Sequence, residues 1–373
     1  MRMSWNNVIG QNRTKQLLQN SFSKGRIAHA YLFHGDEGIG KDAMAIAFAR
    51  LINCKKKRTD ACGECESCRK VDTLQHPDIH LIFKLPVGRG EGKDDGPLDK
   101  LSDEQIKEVR DQIALKAADI YHHITVSKAN FIKINSIREI RRAVSMSSYD
   151  NGRKVFIVVD AEDMNAEASN SLLKTLEEPP PNTILILTTA RKSMLLSTII
   201  SRCQSVQFDL LDERELCDAL IRRENVDREQ AQIVSRLAQG SYAKAKKLLS
   251  RNLLQEQKDA VDFLRLVLSP HKANLISAVD RLASTRDRTL VEEWLKVLQS
   301  WIRDALVLKE TGESSVQELH HADLKNFLDR FPRADLLGAL QTVERQIALV
   351  GKNVYLPLIL TTLSIDLKRH LSR

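Results

Sequence analysis

The sequence predicts an α/β protein built on a parallel sheet and followed by helical parts. Short apolar runs alternate with helical periodicity through about residue 209, as expected when helices connect the strands of a parallel sheet. A glycine-rich turn follows the first apolar run and opens a helix, which is the context of a phosphate-binding loop. Beyond residue 209 the strand pattern ends, and amphipathic helices are predicted to the end of the chain.

The composition is that of an ordinary soluble globular protein, and the length predicts two or three domains. Of 373 residues, 42% are hydrophobic and 28% charged, and the formal net charge is +8. No apolar run is long enough to span a bilayer, and the amino-terminal residues have no apolar signal core. We therefore expect a cytoplasmic protein that binds no membrane. The basic excess fits an anionic partner such as DNA, but also a solvated basic surface.

The phosphate-loop pattern spans Gly35–Asp42 and follows the predicted strand Ala30–His34. Its glycines allow backbone N–H groups to turn toward an anion, and the amino end of the next helix adds positive potential. Lys41 is placed to reach the terminal phosphates, but Asp42 stands where the pattern has a hydroxyl for Mg²⁺. Weak nucleotide binding and a turn that binds nothing both remain open. The candidate nucleotide residues are Gly35, Gly38, Gly40, Lys41, Asp42 and Asp160.

Four cysteines lie close together soon after this helix. Cys54 is followed by two consecutive C-x-x-C steps that contain Cys62, Cys65 and Cys68. Four soft ligands that leave no open position are typical of a structural zinc site. The alternatives are free thiols or a degenerate knuckle, and a redox pair is less favoured because three cysteines share the spacing. We predict a structural Zn²⁺ in a module at residues 54–68.

An insertion at about residues 84–128 interrupts the α/β alternation. Its first part, Pro86–Pro97, holds four glycines among charged residues, which predicts a flexible, disordered loop. A capping-box sequence from Ser102 to Gln105 then predicts one helix, with apolar residues at helical spacing as far as Ile120. These residues do not indicate a function for the insertion.

The α/β pattern resumes with an amphipathic, basic helix at Ile134–Ser145. Three strands follow, at Val155–Val159, Ile184–Thr188 and Val206–Phe208. Asn165 is a candidate amino-terminal cap for the helix between the first two of these strands.

The chain is predicted to have three domains. The α/β domain covers residues 1–209, a small helical domain 210–254, and an all-helical domain 255–373. In the last domain, Trp294 and Trp301 share an apolar helix face, so we expect both in the core rather than in a binding site.

Two further motifs are specific. Residues 170–180 read NSLLKTLEEPP and residues 201–203 read SRC. Together with the glycine loop and the cysteine module, they make the chain resemble bacterial clamp-loader AAA+ subunits over roughly residues 5–250, apart from the insertion. The resemblance implies an AAA+ P-loop domain with an inserted zinc knuckle, a helical lid domain and a helical collar domain that mediates oligomerisation.

Three departures from that family's motor subunits imply a loss of ATP hydrolysis. Asp42 replaces the Mg²⁺-binding hydroxyl, and Ala243 stands where motor subunits carry an arginine that contacts the nucleotide. The strand-end Asp-Glu pair is also broken. An ungapped alignment puts Val159 and Asp160 at the pair, whereas a one-residue gap puts Asp160 and Ala161 there. Metal binding, water activation and charge stabilisation would all be weakened.

Arg202 is retained, and in this family it projects into the neighbouring subunit's ATP site as an arginine finger. A degenerate ATPase that keeps its finger resembles the delta-prime type of subunit. The resemblance implies motor (gamma/tau) and delta subunits as partners, and primer–template DNA held through the assembled ring. Contact with the sliding clamp is a further possibility, and ATP binding would be weak or absent. The candidates for DNA backbone contact are Arg138, Arg141 and Arg142.

Three functions stay open at this point. The favoured one is a subunit that helps to load the sliding clamp onto primed DNA during replication and stimulates its partners' ATPase. The second is a catalytically active gamma/tau-like ATPase that uses Asp42 as an unusual metal ligand. The third is an AAA+ protein outside replication. For Arg202 the alternative to a finger is a surface salt bridge, and the neighbouring motifs favour the finger.

Overall fold

The computed structural model describes most of the chain, in two compact units. The described ranges are residues 5–56, 60–92, 94–145, 152–249, 253–270, 272–284, 287–312, 318–350, 352 and 354–372. The first unit comprises Met1–Ala219 with Gln239–Lys244, and the second Leu220–Ala238 with Ala245–Arg373. The three-domain boundaries stay a prediction.

The first unit contains a five-stranded sheet in which every strand pair is parallel. The strands are β1 (Ala30–His34), β2 (Ile79–Ile82), β3 (Lys154–Val158), β4 (Thr183–Thr189) and β5 (Gln204–Gln207). They lie in the order β2-β3-β4-β1-β5. The predicted parallel sheet is confirmed, because continuous apolar runs suit strands that are buried on both faces.

Among the described residues, seven α-helices lie wholly within this unit. They are α1 (Asn12–Ser23), α2 (Lys41–Ile52), α3 (Glu66–Asp72), α4 (Asp103–Ala118), α5 (Ile134–Ser145), α6 (Ala166–Glu177) and α7 (Ser197–Ile200). The predicted caps are confirmed: the Ser102 side chain accepts from the Gln105 backbone N–H, and that of Asn165 accepts from the Ala168 backbone N–H. Two more helices, α8 (Glu213–Glu224) and α10 (Tyr242–Leu249), have residues in both units.

Successive strand residues face opposite sides of the sheet, so each face has its own core. Tyr31 and Phe33 of β1 pack in a core that includes α2, whereas Leu32 packs in a second core with α5 and α6. In register, Phe33 lies opposite Thr188 of β4. Because the carboxyl ends of parallel strands meet at one edge, the glycine loop after β1 lies beside the ends of β3 and β4.

The prediction of a disordered loop at residues 86–97 is wrong for the described part of that segment. The Glu91 side chain is 6% exposed and forms a 2.8 Å ion pair with Lys133, itself 5% exposed. Asn135 donates hydrogen bonds to the Glu91 carboxylate and to the Gly92 carbonyl oxygen. The glycines suggested mobility, but one inward-facing carboxylate fixes the loop to α5.

All regular secondary structure in the described residues of the second unit is helical. Its remaining helices are α9 (Arg228–Ala238), α11 (Leu253–Leu268), α12 (Lys272–Ser284), α13 (Arg288–Thr311), α14 (Glu318–Arg330), α15 (Leu336–Val350) and α16 (Leu356–Leu371). Trp294 and Trp301 are buried, and each meets a phenylalanine edge to face at 5.0 and 5.2 Å respectively. Their predicted core role is confirmed. No helix in the described ranges is long and apolar enough to cross a membrane.

Candidate functional site

The backbone of the glycine loop is in close contact with a side chain of the loop itself and with a side chain of the insertion. Gly40 has φ of 101°, and a Cβ added there would lie 2.9 Å from the Tyr121 hydroxyl, so glycine is required. Lys41 is 6% exposed, and its Nζ donates to the carbonyl oxygens of Gly35 and Asp36 at 2.9 and 2.6 Å. Burial lowers the pKa of Lys41. In this arrangement the loop's own carbonyls bind the lysine expected to reach phosphates.

Asp42 lies in the first turn of α2 and is bound from two sides. Thr188 at the end of β4 donates its hydroxyl to Oδ1 at 2.7 Å, and Lys116 Nζ of α4 lies 3.6 Å from Oδ2. Burial alone would raise the pKa of Asp42, but the Lys116 ammonium and the Thr188 hydroxyl lower it below its usual value. The carboxylate therefore has both a cation and a donor within the protein.

Asp160 follows β3 and shares the cavity beside the glycine loop. Burial, then the neighbouring carboxylates of Asp42 and Glu162, raise its pKa to about 7. Val159 and Ala161 are 4% and 1% exposed and pack into the cores on the two faces of the sheet. Of the residues that the two alignments place at the acidic pair, Asp160 is the one that lines the cavity.

Ala243, which stands where motor subunits carry a nucleotide-contacting arginine, lies in a segment that contacts the glycine loop. The backbone N–H groups of Tyr242 and Ala243 donate to the Gly38 carbonyl oxygen at 3.0 and 3.4 Å. Ala243 also lines the cavity. An alanine there presents only a methyl group, so it offers no charge to a phosphate.

The insertion fills most of the space beside the loop. The Tyr121 hydroxyl accepts from the Ile9 backbone N–H at 2.7 Å, and its ring meets Tyr242 at 4.7 Å. The remaining cavity measures about 50 Å³, against roughly 300–1,000 Å³ for typical ligand pockets. In this arrangement the cavity beside the loop is therefore smaller than a typical ligand pocket.

The sequence analysis missed the residues that line or close this site from outside the loop. No motif marks Lys116, Tyr121, His123 or Thr188, and three of them belong to the insertion. The long sequence separation between Asp42 and its partners meant that only the tertiary arrangement could bring them together.

Arg202 lies at the surface, between α7 and β5. Its side chain is 36% exposed, and Nη2 lies 3.0 Å from the Glu177 carboxylate. Nη1 donates to the Thr198 carbonyl oxygen at 2.9 Å. The next residue, Cys203, is buried in the core with α5, α6 and α7, and burial raises the pKa of its thiol to about 12. The triplet thus places a half-buried guanidinium, paired with an exposed carboxylate, beside a buried anchor.

The four clustered cysteines come together after α2. Their sulfur atoms all lie within 4.8 Å of one another, and the Cys62 and Cys68 sulfurs are 3.9 Å apart. Zinc–sulfur bonds of 2.3 Å in a tetrahedron put sulfurs about 3.8 Å apart. The Cys65 backbone N–H donates to the Cys62 sulfur at 3.4 Å, which favours thiolate at that position. The donor set and its spacing fit a tetrahedral metal ion.

A buried ion pair connects the cysteine module to α2. Arg50 is fully buried, and its Nη2 lies 2.8 Å from the Asp72 carboxylate on α3. Because α3 begins immediately after Cys65, this pair positions the second C-x-x-C step against the sheet domain.

The three candidate DNA-contact arginines differ in exposure. All lie on α5, but Arg141 is exposed whereas Arg138 and Arg142 are half-buried. Arg142 donates to the Asp94 carbonyl oxygen at 2.6 Å and lies 3.6 Å from the Glu139 carboxylate. The side chain best placed to reach an external phosphate is that of Arg141.

Comparison with known proteins identifies the family. The model of the family described as DNA polymerase III, delta subunit, matches residues 10–212. The chain belongs to this family. The matched range includes the glycine loop, the cysteine module and Arg202.

Several relatives carry DNA polymerase III names. The delta' subunit of Bacillus subtilis is 28% identical over 85% of this chain and 83% of its own length. The delta' subunit of Haemophilus influenzae is 27% identical over 66% of this chain and 62% of its own. The tau subunit of Bacillus subtilis is 30% identical over 61% of this chain but only 32% of its own. A RuvB branch migration motor of Thermotoga maritima aligns over 96% of this chain with TM-score 0.40 and 16% identity, a likeness too low to support an assignment.

Proposed function

We propose that this chain works as the delta-prime type of subunit in a bacterial clamp loader, which places the sliding clamp on primed DNA during replication. Its family membership and the two relatives named delta' support this role. The proposed partners are gamma/tau motor subunits, a delta subunit and primer–template DNA, with the sliding clamp as a further contact. Such a complex works in the cytoplasm.

The observation that carries the proposal is the contrast between Arg202 and Asp42. The Arg202 guanidinium is partly exposed and its ion-pair partner Glu177 is exposed, whereas the Asp42 carboxylate is held by the buried Lys116 and by Thr188. A subunit of this kind lends an arginine to its neighbour and has little or no ATPase of its own. Binding of ATP to its own loop is accordingly weak or absent.

The chemistry assigned to Arg202 is stabilisation of transferring phosphoryl charge in trans. The guanidinium fork presents several donors to the γ-phosphate oxygens, where charge builds up in the transition state. Before it can do so, Arg202 must leave Glu177, which is 50% exposed. A pair so open to water is worth about 0–1 kcal/mol, so release costs little.

The test is ATP hydrolysis by a complex reconstituted from this chain, motor subunits and delta. Arg202→Ala should leave the complex assembled but slow DNA-dependent hydrolysis at the neighbouring site by on the order of 10³–10⁵-fold. Arg214→Ala, an exposed arginine of the same unit, is the matched control and should hydrolyse normally. Unchanged turnover with Arg202→Ala would refute the finger role.

The gamma/tau-like ATPase is the second candidate, because a relative named tau reaches 30% identity. The Asp42–Lys116 ion pair argues against it, because a carboxylate that binds a metal ion must offer its oxygens to that ion rather than to a lysine. Steady ATP turnover by the isolated chain, abolished by Lys41→Ala, would favour this candidate over the first.

We also propose that the four cysteines hold a structural Zn²⁺. Metal analysis of the purified chain should find about one zinc per chain. Cys62→Ser should lower that content and destabilise the module, because only three sulfur ligands remain. Zinc-free protein with freely reactive thiols at Cys62, Cys65 and Cys68 would dismiss the site.

Contact with DNA is proposed through α5, from Arg141 first and with Arg138 and Arg142 as secondary candidates. Phosphate contacts are independent of sequence and weaken as salt rises. In the reconstituted complex, Arg141→Ala should weaken primed-DNA binding and lower its salt dependence, whereas Lys107→Ala on α4 should not. Equal binding by both variants would remove α5 from the proposed DNA surface.

A further inference from the structure

The insertion at residues 84–128 interrupts the sheet domain but supplies a buried cation beside the glycine loop. Lys116 projects from α4 with its side chain 3% exposed. Its Nζ donates to the His122 carbonyl oxygen at 2.7 Å and lies 3.6 Å from the Asp42 carboxylate. A buried ammonium is stable only with such partners, so this position is specified by the fold.

Tyr121 occupies the space directly against the glycines. Its hydroxyl meets the Ile9 backbone N–H, and it lies 2.9 Å from the point where a Gly40 Cβ would stand. His123 follows, with Nε2 3.8 Å from the Asp160 carboxylate. The same short segment therefore touches the loop, the amino-terminal stretch and the acidic residue after β3.

We propose that the insertion blocks the nucleotide loop from within the chain. The Lys116 ammonium takes the position of a metal ion beside Asp42, and the Tyr121 ring takes the position of a nucleotide against Gly40. We call the segment that contains these two residues the plug. A metal-bound nucleotide can enter only when this segment moves out, because two cations repel each other at one carboxylate and the remaining cavity is about 50 Å³. The plug holds the loop in an ordered form that needs no bound nucleotide.

This inference rests on the proposed function, because the plug would keep the loop folded in a subunit that has no efficient ATPase activity. The two are nevertheless tested separately. The plug is measured on the isolated full-length chain, whereas the Arg202 test needs the assembled complex. Either one can fail while the other succeeds.

The experiment compares the wild-type chain with the double variant Lys116→Ala, Tyr121→Ala. Opening the plug raises the fraction of chains competent to bind, and apparent affinity rises by the same factor. We expect at least about a ten-fold gain in affinity for Mg²⁺–ADP by calorimetry. We also expect faster amide hydrogen exchange in residues 35–42, which reports opening even without nucleotide.

Lys107→Ala is the matched control, because Lys107 is an exposed lysine on the same helix, and it should match wild type in both measurements. A folded double variant with unchanged ADP affinity and unchanged exchange in residues 35–42 overturns the plug. If the double variant does not fold, Lys116→Met replaces it and is judged by the same two readouts. Methionine keeps most of the lysine's volume but carries no charge.

Discussion

Two regions of the first unit have opposite surroundings, although both carry sequence motifs of nucleotide chemistry. Around Gly35–Asp42, the side chains of Lys41 and Asp42 are bound by other groups of the same chain. Around Arg202, a buried cysteine anchors a side chain that still reaches solvent. The difference is that the charged groups of the loop are bound within the chain, whereas the Arg202 side chain remains partly exposed beside an exposed partner.

The largest expected difference between the two regions is in ATP hydrolysis by the reconstituted complex, measured after a single substitution in each region in turn. Arg202→Lys keeps the charge but loses the planar fork, so ATP hydrolysis should fall on the order of 10²-fold. Lys41→Ala should leave hydrolysis unchanged, because Lys41 is bound to its own loop. Steady-state ATPase assays check both. A loss with Lys41→Ala equal to that with Arg202→Lys would break the contrast.

The next effect concerns the stability of the closed loop. Asp42→Asn leaves the Lys116 ammonium buried without its carboxylate and should lower the free energy of unfolding by about 2–3 kcal/mol, somewhat less than for a fully buried pair. Asp36→Asn, on the exposed part of the same loop, should change it by less than about 0.5 kcal/mol. Urea unfolding measures both variants, and equal values would contradict the closed arrangement.

A pH-dependent effect should follow at Asp160, whose folded pKa is raised to about 7 from an ordinary 3.8. Between these values the folded state binds more protons than the unfolded state, so stability falls as pH rises. Asp160→Asn removes this loss and should stabilise the protein by about 1–2 kcal/mol at alkaline pH, after allowing for partial exposure. At a pH near the ordinary pKa of 3.8, the gain in the free energy of unfolding should vanish. Urea unfolding across this range would contradict the assignment if the gain did not grow with pH.

The smallest effect is expected at Glu177, the exposed partner of Arg202. Glu177→Gln should change the free energy of unfolding by less than about 0.5 kcal/mol, because both side chains are open to water. Urea unfolding checks this value. A loss above about 1 kcal/mol would mean that Arg202 is held as a structural group, which weakens its proposed role in a neighbouring site.

Much of the fold could be predicted from local pattern. The first strand, Ala30–His34, and the helix Ile134–Ser145 have the predicted bounds, and the buried tryptophans and both caps are confirmed. Apolar periodicity and capping chemistry act over a few residues, so sequence displays them directly. The loop at residues 86–97 was mispredicted because its order depends on Glu91 meeting Lys133, about forty residues away.

The sequence by itself determined the parallel sheet, the glycine loop, the spacing of the four clustered cysteines and the absence of a hydroxyl at Asp42, because each is a short-range pattern of residue types. Only the tertiary structure decided what surrounds them. It placed Asp160 rather than Val159 in the cavity, gave Asp42 the partners Lys116 and Thr188, and filled the loop with Tyr121. Those contacts join segments far apart in the chain, and packing of the whole domain brings them together.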